Sequence, residues 1–266
     1  MSEPVVLTAA AGGVCTITLN RPKALNALNR ELTLALREAV FAAEQNKDVR
    51  CVVLKGGEHF MAGGDLKWFH ENLAKYSPAE IKVIFEGFIQ EVHAMIISIR
   101  RMPKPVIASV AGAAAGFGLS LALACDLTIA ADSAYFTLAY SLIGVTPDGG
   151  STYALARLVG AKKAAEIALL ADRFDAATAE RLGLVNKVVP AAELDAQTAK
   201  LAARLASGPT AVYGRTKALL QRSLDNPLEA QLQREAEAFS QSATEPDFAE
   251  GIRAFIEKRK PNFKGS

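Results

Sequence analysis

The residue pattern predicts an α/β protein with a helical C-terminal region, on three grounds. Short apolar segments alternate with helical periodicity up to about residue 190. Each of those segments is too apolar to leave one face in water, as in a covered sheet, and beyond Pro190 only helical periodicity remains. At 266 residues the chain exceeds a typical domain of about 150 residues, so one large unit or a core with an appendage is expected. The change near residue 190 sets the expected boundary: a core over 1–190 and a helical region over 191–266. No Gly/Ser linker separates the two, so they are expected to pack together.

Val14 to Leu19 is apolar and β-branched and reads as a strand, after which Asn29 can cap a helix from about Arg30 to Gln45. Cys51 to Lys55 is the next strand. Ser77-Pro78-Ala79-Glu80 has the form of a capping box with Pro at the first helical position, so a long helix should start there. Pro105 to Val110 is a short apolar strand, and the small residues Ala111 to Gly116 read as a turn into a helix over Phe117 to Cys125. Another strand, Leu127 to Ala130, follows. Helices are then expected over Ala191 to Ser207, Pro209 to Leu224 and Leu228 to Ser242, with a last one from about Pro246.

Half of the residues are hydrophobic and 22% are charged, which excludes disordered and low-complexity classes. Lys plus Arg number 30 against 28 Asp plus Glu, a net +2 that provides no general footprint for nucleic acid or a membrane surface. Cys15, Cys51 and Cys125 are odd in number and widely spaced, so neither a disulfide framework nor a paired-cysteine metal site can be built. A reducing, cytoplasmic compartment is expected. Met1 to Ala10 lacks a basic stretch followed by an apolar one, so no secretory signal is expected. The most lipid-like stretch, Ala111 to Ala124, falls short of the roughly 20 apolar residues of a spanning helix and reads as a buried core helix.

Two glycine-bearing strand-to-helix turns stand out, Phe60-Met-Ala-Gly-Gly-Asp-Leu66 and Gly112-Ala-Ala-Ala-Gly-Phe-Gly118. A dinucleotide fingerprint would need glycine where Leu121 stands, and a P-loop would need Gly-Lys-Ser/Thr at its end, so nucleotide readings are weak. Small residues allow a ligand to approach backbone amides, and a helix start adds positive character to them; two such turns can form an oxyanion hole.

Those turns, with Asn20-Arg-Pro-Lys-Ala-Leu-Asn26, Lys104-Pro-Val-Ile-Ala108 and Phe255-Ile-Glu-Lys-Arg-Lys-Pro-Asn-Phe263 in this order, make the chain resemble the enoyl-CoA hydratase/isomerase (crotonase) family from about Val14 to Phe263. The resemblance implies a spiral of ββα units, a helical C-terminal trimerisation region and a homotrimer or homohexamer. It also implies an acyl-CoA thioester as substrate, with coenzyme A entering as part of it and no separate cofactor.

Carried across by the same resemblance, the oxyanion donors are the backbone amides of Gly64 and Phe117; the latter position is frequently glycine in the family, so its ring must point away or narrow the acyl pocket. Such donors stabilise the charge that develops on a thioester oxygen when the carbons beside it gain or lose a proton. The two glutamates of family hydratases align with Ser120 and Tyr140, neither of which is a good general base at neutral pH. Asp148, in Pro147-Asp-Gly-Gly-Ser151, stands where isomerases of the family place an aspartate, and is the expected base; the alternative is a turn aspartate capping the next helix. Burial would raise its pKa and a helix start would lower it. Tyr140 and Ser120 are left to position substrate or water.

On the coenzyme A side the resemblance points to Lys23, Ala24, Leu25, Ala62, Gly64, Asp65, Leu66 and Lys67, with Lys67 as a phosphate partner. Phe239, Lys258 and the cluster Arg259, Lys260 and Lys264 are expected to reach coenzyme A from a neighbouring subunit. His59, His70 and His93 are too scattered for a metal set and read as loop or surface residues, and no metal is expected. Trp68, Phe69, Phe85 and Phe88 read as core that can shape the acyl pocket. A single carboxylate suits double-bond isomerisation. The alternatives are hydration with Asp148 and Tyr140 acting together, decarboxylation, and a binding protein that kept the fold without the chemistry.

Overall fold

A computed structural model describes residues 3–266. Its strands, in chain order, are β1 (Val6–Ala11), β2 (Val14–Leu19), β3 (Cys51–Lys55), β4 (Val106–Val110), β5 (Ala113–Ala115), β6 (Leu127–Ala131), β7 (Tyr135–Thr137), β8 (Phe174–Asp175) and β9 (Lys187–Val189). The helices are α1 (Arg30–Gln45), α2 (Leu66–Lys75), α3 (Pro78–Arg101), α4 (Phe117–Ala124), α5 (Ser151–Leu170), α6 (Ala176–Arg181), α7 (Leu194–Ala206), α8 (Thr210–Arg222), α9 (Leu228–Ala243) and α10 (Pro246–Ile256). A large sheet runs β1-β2-β3-β4-β6-β9 and a small one β5-β7-β8. All pairs of the large sheet are parallel except the β1–β2 hairpin. That hairpin turns at Gly12-Gly13, both with positive φ (57° and 78°), as a tight two-residue turn demands. The strand assignments from the sequence missed β1, although the Gly-Gly pair marks the turn.

The helix caps follow the sequence closely. Asn29 accepts from the Leu32 amide, and the Ser77/Glu80 capping box opens the 24-residue α3. One expectation needs correcting: Ala111 to Ala124 is not a single helix, and Ala113–Ala115 is a strand rather than a turn. Alanine has little strand preference of its own, so the ladder decides. Met61 N donates to Ala113 O and Ala115 N to Met61 O, both at 2.9 Å, and β7 pairs on the other side.

A repeated unit results. After β2, β3, β4 and β6 the chain drops into an inner ladder before starting a helix: at Leu28 before α1, at Met61 to Gly64 before α2, at β5 before α4 and at β7 before α5. Leu28 bridges Gly64, and Met61 bridges Ala114. Successive helix starts therefore stack along one inner ladder, which brings the two glycine turns together.

The main core fills the space between the large sheet and α1, α3 and α4, whose eight residues are all buried. A second cluster, Cys51, Val53, Ile107, Ala202 and Ala206, lies between the opposite sheet face and α7. Residues beyond 190 are thus fastened to the sheet. Lys217 of α8 adds a polar tie, donating to Ile99 O (2.8 Å), Lys104 O (3.3 Å) and Asp126 Oδ2 (2.7 Å).

Candidate active site

The two glycine turns meet backbone to backbone. Gly116 has φ 51° and ψ −121°, a region closed to side chains, and a Cβ built there would stand 3.4 Å from Gly63 Cα. A Cβ built on Gly63, which has φ 97°, would stand 3.2 Å from Ala115 O. In the first turn Leu28 N donates to Gly63 O (2.7 Å) and Asp65 N to Leu28 O (2.9 Å), so the Gly64 amide points out of the ladder. In the second, Leu119 and Ser120 amides return to Gly116 O, while Phe117 is the first residue of α4. Neither the Gly64 nor the Phe117 amide has an acceptor among the described residues. The Phe117 ring turns toward Gly149, where an added Cβ would lie 2.8 Å from Cε2 and 2.9 Å from Ser120 Cβ.

Asp148 does not cap the next helix. The cap of α5 is Gly150, with no side-chain bond, and only the Asp148 carbonyl serves the turn, accepting from Ser151 N (3.2 Å) and Ser151 Oγ (3.0 Å). The carboxylate instead accepts a hydrogen bond from the Tyr140 hydroxyl. The Tyr140 oxygen lies 3.2 Å from Ser120 Oγ, so a chain runs from buried Ser120 through Tyr140 to half-buried Asp148.

Burial pushes the Asp148 carboxyl above its ordinary range, against the opposing pull of the Tyr140 hydrogen bond and of positive charge on His93. Tyr140 is pushed far above 10, first by burial and then by the Asp148 charge, so its phenol keeps its proton and acts as a donor. A cavity of about 360 Å³ lies against Ser120 and Gly149 and is walled by Ile96, Ile97, Leu123 and Tyr153.

The other candidates fall into three groups. Lys23 and Ala24 sit in a short 3-10 turn, and the carbonyl of Leu25, at φ 49°, accepts from Ala62 N (3.0 Å), which seats these residues beside the first glycine turn. Leu66 and Lys67 are exposed on the first turn of α2. Asp65 is committed elsewhere, because Oδ1 caps α2 through the Lys67 and Trp68 amides and Oδ2 pairs with Arg21 at 3.0 Å. Phe239 is not brought near Asp148 within one chain; it lines a separate cavity of about 640 Å³ with Val212, Leu219, Phe248, Ile252 and Phe255.

Lys258 is exposed, with φ 54°, next to the turn that follows α10. Arg259 is held by Glu250 and Glu257, and that pairing draws the Glu250 carboxyl down to about 2. Of the expected basic cluster, Lys260 contributes its carbonyl to Arg259, and the Lys264 ammonium lies 3.4 Å from Asn262.

Two further side chains come near: Phe69, which the sequence already offers as shaping the acyl pocket, and His93, which it reads as a loop or surface residue. Phe69 packs on Gly64, where a Cβ would stand 2.6 Å from the ring tip. His93 of α3 is exposed and influences Asp148 electrostatically; it lies one turn before Ile96, which faces Gly150. The spacing of three along α3 is visible in the sequence, but the approach of α3 to the Asp148 loop is not. His59, by contrast, is structural, accepting from Ala113 N through Nδ1 (3.0 Å).

The family model described as enoyl-CoA hydratase/isomerase matches residues 9–266. A 1,2-epoxyphenylacetyl-CoA isomerase of Escherichia coli is 36% identical over 98% of both chains. A crotonyl-CoA hydratase of Syntrophomonas wolfei is 37% identical over 94% of both. Among solved structures, an enoyl-CoA hydratase from a Polaromonas species superposes with a TM-score of 0.91 at 37% identity, covering 97% of this chain and 99% of its own. Full-length matches of this kind, with an inner ladder that recurs before α1, α2, α4 and α5, make the chain an enzyme of the enoyl-CoA hydratase/isomerase (crotonase) family.

Proposed function

We propose that the protein shifts a double bond in an enoyl-CoA thioester, with Asp148 as the acid and base. The Asp148 carboxylate takes a proton from a carbon next to the double bond. The released electron pair moves toward the thioester oxygen, forming an enolate, and the Gly64 and Phe117 amides hydrogen-bond that oxygen. Protonated Asp148 then returns the proton to the far carbon, the enolate collapses, and the double bond has moved with no net gain or loss of atoms. The observations that support this reading are the half-buried Asp148 carboxylate, whose neighbour Gly149 lies against the Phe117 ring, and two amides with no acceptor among the described residues. Its raised pKa suits a group that must both take and return a proton.

Hydration by Asp148 and Tyr140 acting together fits less well. Tyr140 holds its proton more tightly than a free phenol, and Ser120 stands at the other expected carboxylate position. Relatives with hydratase names keep that reaction as the competing outcome. Coenzyme A is assigned to the surface of Lys23, Ala24, Leu25, Ala62, Leu66 and Lys67. Exposed Phe239, Phe248 and Phe255 support assembly as a homotrimer or homohexamer through the C-terminal helices, where Phe239 and Lys258 would meet a neighbour's coenzyme A. Among the described residues no helix is long and apolar enough to cross a membrane, and all three cysteines are free, in keeping with a cytoplasmic place.

The test is to incubate the protein with a panel of enoyl-CoA thioesters in deuterated, oxygen-18-labelled water and analyse the products by mass. A shifted alkene carrying deuterium on carbon is the expected result. Labelled oxygen in the product would make the enzyme a hydratase.

A further inference from the structure

We propose that the acyl pocket is an aromatic slot and that the substrate's acyl group carries an aryl ring. The inference rests on the reading of Gly64 and Phe117 as the oxyanion donors, and adds to it the chemistry of the group beyond the carbonyl.

The rings come from three elements. Phe69 of α2 rests directly on Gly64, the residue whose amide has no acceptor. Around it stand Trp68 (centroids 5.6 Å apart), Phe85 (5.1 Å) and Phe88, which lies 4.9 Å from Trp68. Their planes are tilted or edge-on to one another, the geometry that aromatic rings prefer when they pack together. On the other side, the Phe117 ring lies against Gly149, the residue after Asp148. Along α3, Phe85 and Phe88 are followed by His93, five residues and about 7–8 Å beyond Phe88, and then by Ile96, which faces Gly150. Phe69 thus lies at one of the two donor residues, and the Phe117 ring lies next to Asp148.

Trp68 and Phe69 are only partly buried although they pack on the core, and Phe85 is likewise half-buried, so these faces are not spent on the fold alone. An alkyl chain in such a slot gains contact area only, whereas a planar ring also gains edge-to-face and offset contacts. Gly64 fits the same design, since any side chain there would displace Phe69.

The test uses two saturated thioesters of equal carbon count, phenylacetyl-CoA and octanoyl-CoA, with binding measured by calorimetry so that double-bond turnover is not required. The wild-type protein is expected to bind the aryl thioester about tenfold more tightly. Phe69→Leu, which keeps apolar bulk, should reduce that preference to about twofold or less while affinity for free coenzyme A is unchanged. Phe85→Leu serves as the second variant if Phe69→Leu does not fold. Equal or tighter binding of octanoyl-CoA by the wild type, or equal weakening of both thioesters in the variants, would overturn the inference. Exchange of the phenylacetyl methylene hydrogens in deuterated water reads the enolate separately: an aryl preference without exchange leaves the slot standing and removes the proposed chemistry.

Discussion

Tyr140 donates its hydroxyl hydrogen to the Asp148 carboxylate, and its own oxygen lies 3.2 Å from Ser120 Oγ. Ser120 of α4 and Tyr140 thus form a support for Asp148, eight residues beyond Tyr140 in the same connection between β7 and α5. The tyrosine contributes a fixed donor, which favours the charged carboxylate against the burial that opposes it.

Removing that donor should therefore move the pH profile. In the wild type the acidic limb of kcat/KM should lie above the ordinary carboxylate range, because burial raises the Asp148 pKa. In Tyr140→Phe the limb should move further up in pH, since the hydrogen bond that lowers the pKa is gone. A limb that stays in place or moves down would separate Tyr140 from Asp148.

Stability should show the same cost with opposite benefit. The folded carboxyl prefers its proton more than the unfolded one, whose ordinary pKa is 3.8. Its contribution is therefore complete below that value and is lost as pH rises through the folded pKa. Asp148→Asn, which still accepts from Tyr140, should raise Tm at pH 7, by about 2–4 °C for each kcal/mol recovered, and the gain should vanish in acid. Thermal unfolding at pH 7 and at pH below 4 measures both.

Gly116→Ala tests the junction of the two turns. Its φ and ψ fall where only glycine is at ease, and the new Cβ would press on Gly63 Cα at 3.4 Å. The strain costs about 1–3 kcal/mol, and a displaced Phe117 amide should lower kcat by about 10²–10³-fold. Steady-state kinetics beside a melting curve separates the two effects; unchanged kcat would remove that amide from the chemistry.

Lys217→Met tests the tie between the helical region and the sheet. The buried ammonium bridges Ile99 O, Lys104 O and Asp126, so its loss should cost about 2–3 kcal/mol of stability in urea unfolding. Activity per folded molecule should be unchanged, because Lys217 touches neither amide nor Asp148. A negligible loss of stability would show that α7 alone fastens this region.

Much of this was legible in the residues. Asn29, Ser77 with Glu80, and the apolar runs of β2, β3, β4 and β6 declare their elements locally, through caps and side-chain pattern. What stayed hidden depends on partners distant in sequence. Ala113–Ala115 is a strand because Met61 and β7 pair with it, and β9 is three residues finishing a sheet edge. At the site, the turn glycines and Asp148 are readable as types. The Tyr140 to Asp148 bond, the seat of Phe69 on Gly64 and the approach of His93 need three-dimensional packing. Likewise Arg259 reads as a free cation until Glu250 and Glu257 close on it.

The most direct measurement compares wild type and Asp148→Asn on a β,γ-unsaturated acyl-CoA in deuterated water, following deuterium entry into carbon and double-bond position by mass and NMR. The wild type should incorporate deuterium and move the double bond. The variant should lose about 10²–10⁴-fold in both rates while binding the thioester with unchanged affinity. Exchange and migration continuing at the wild-type rate in Asp148→Asn would contradict the account.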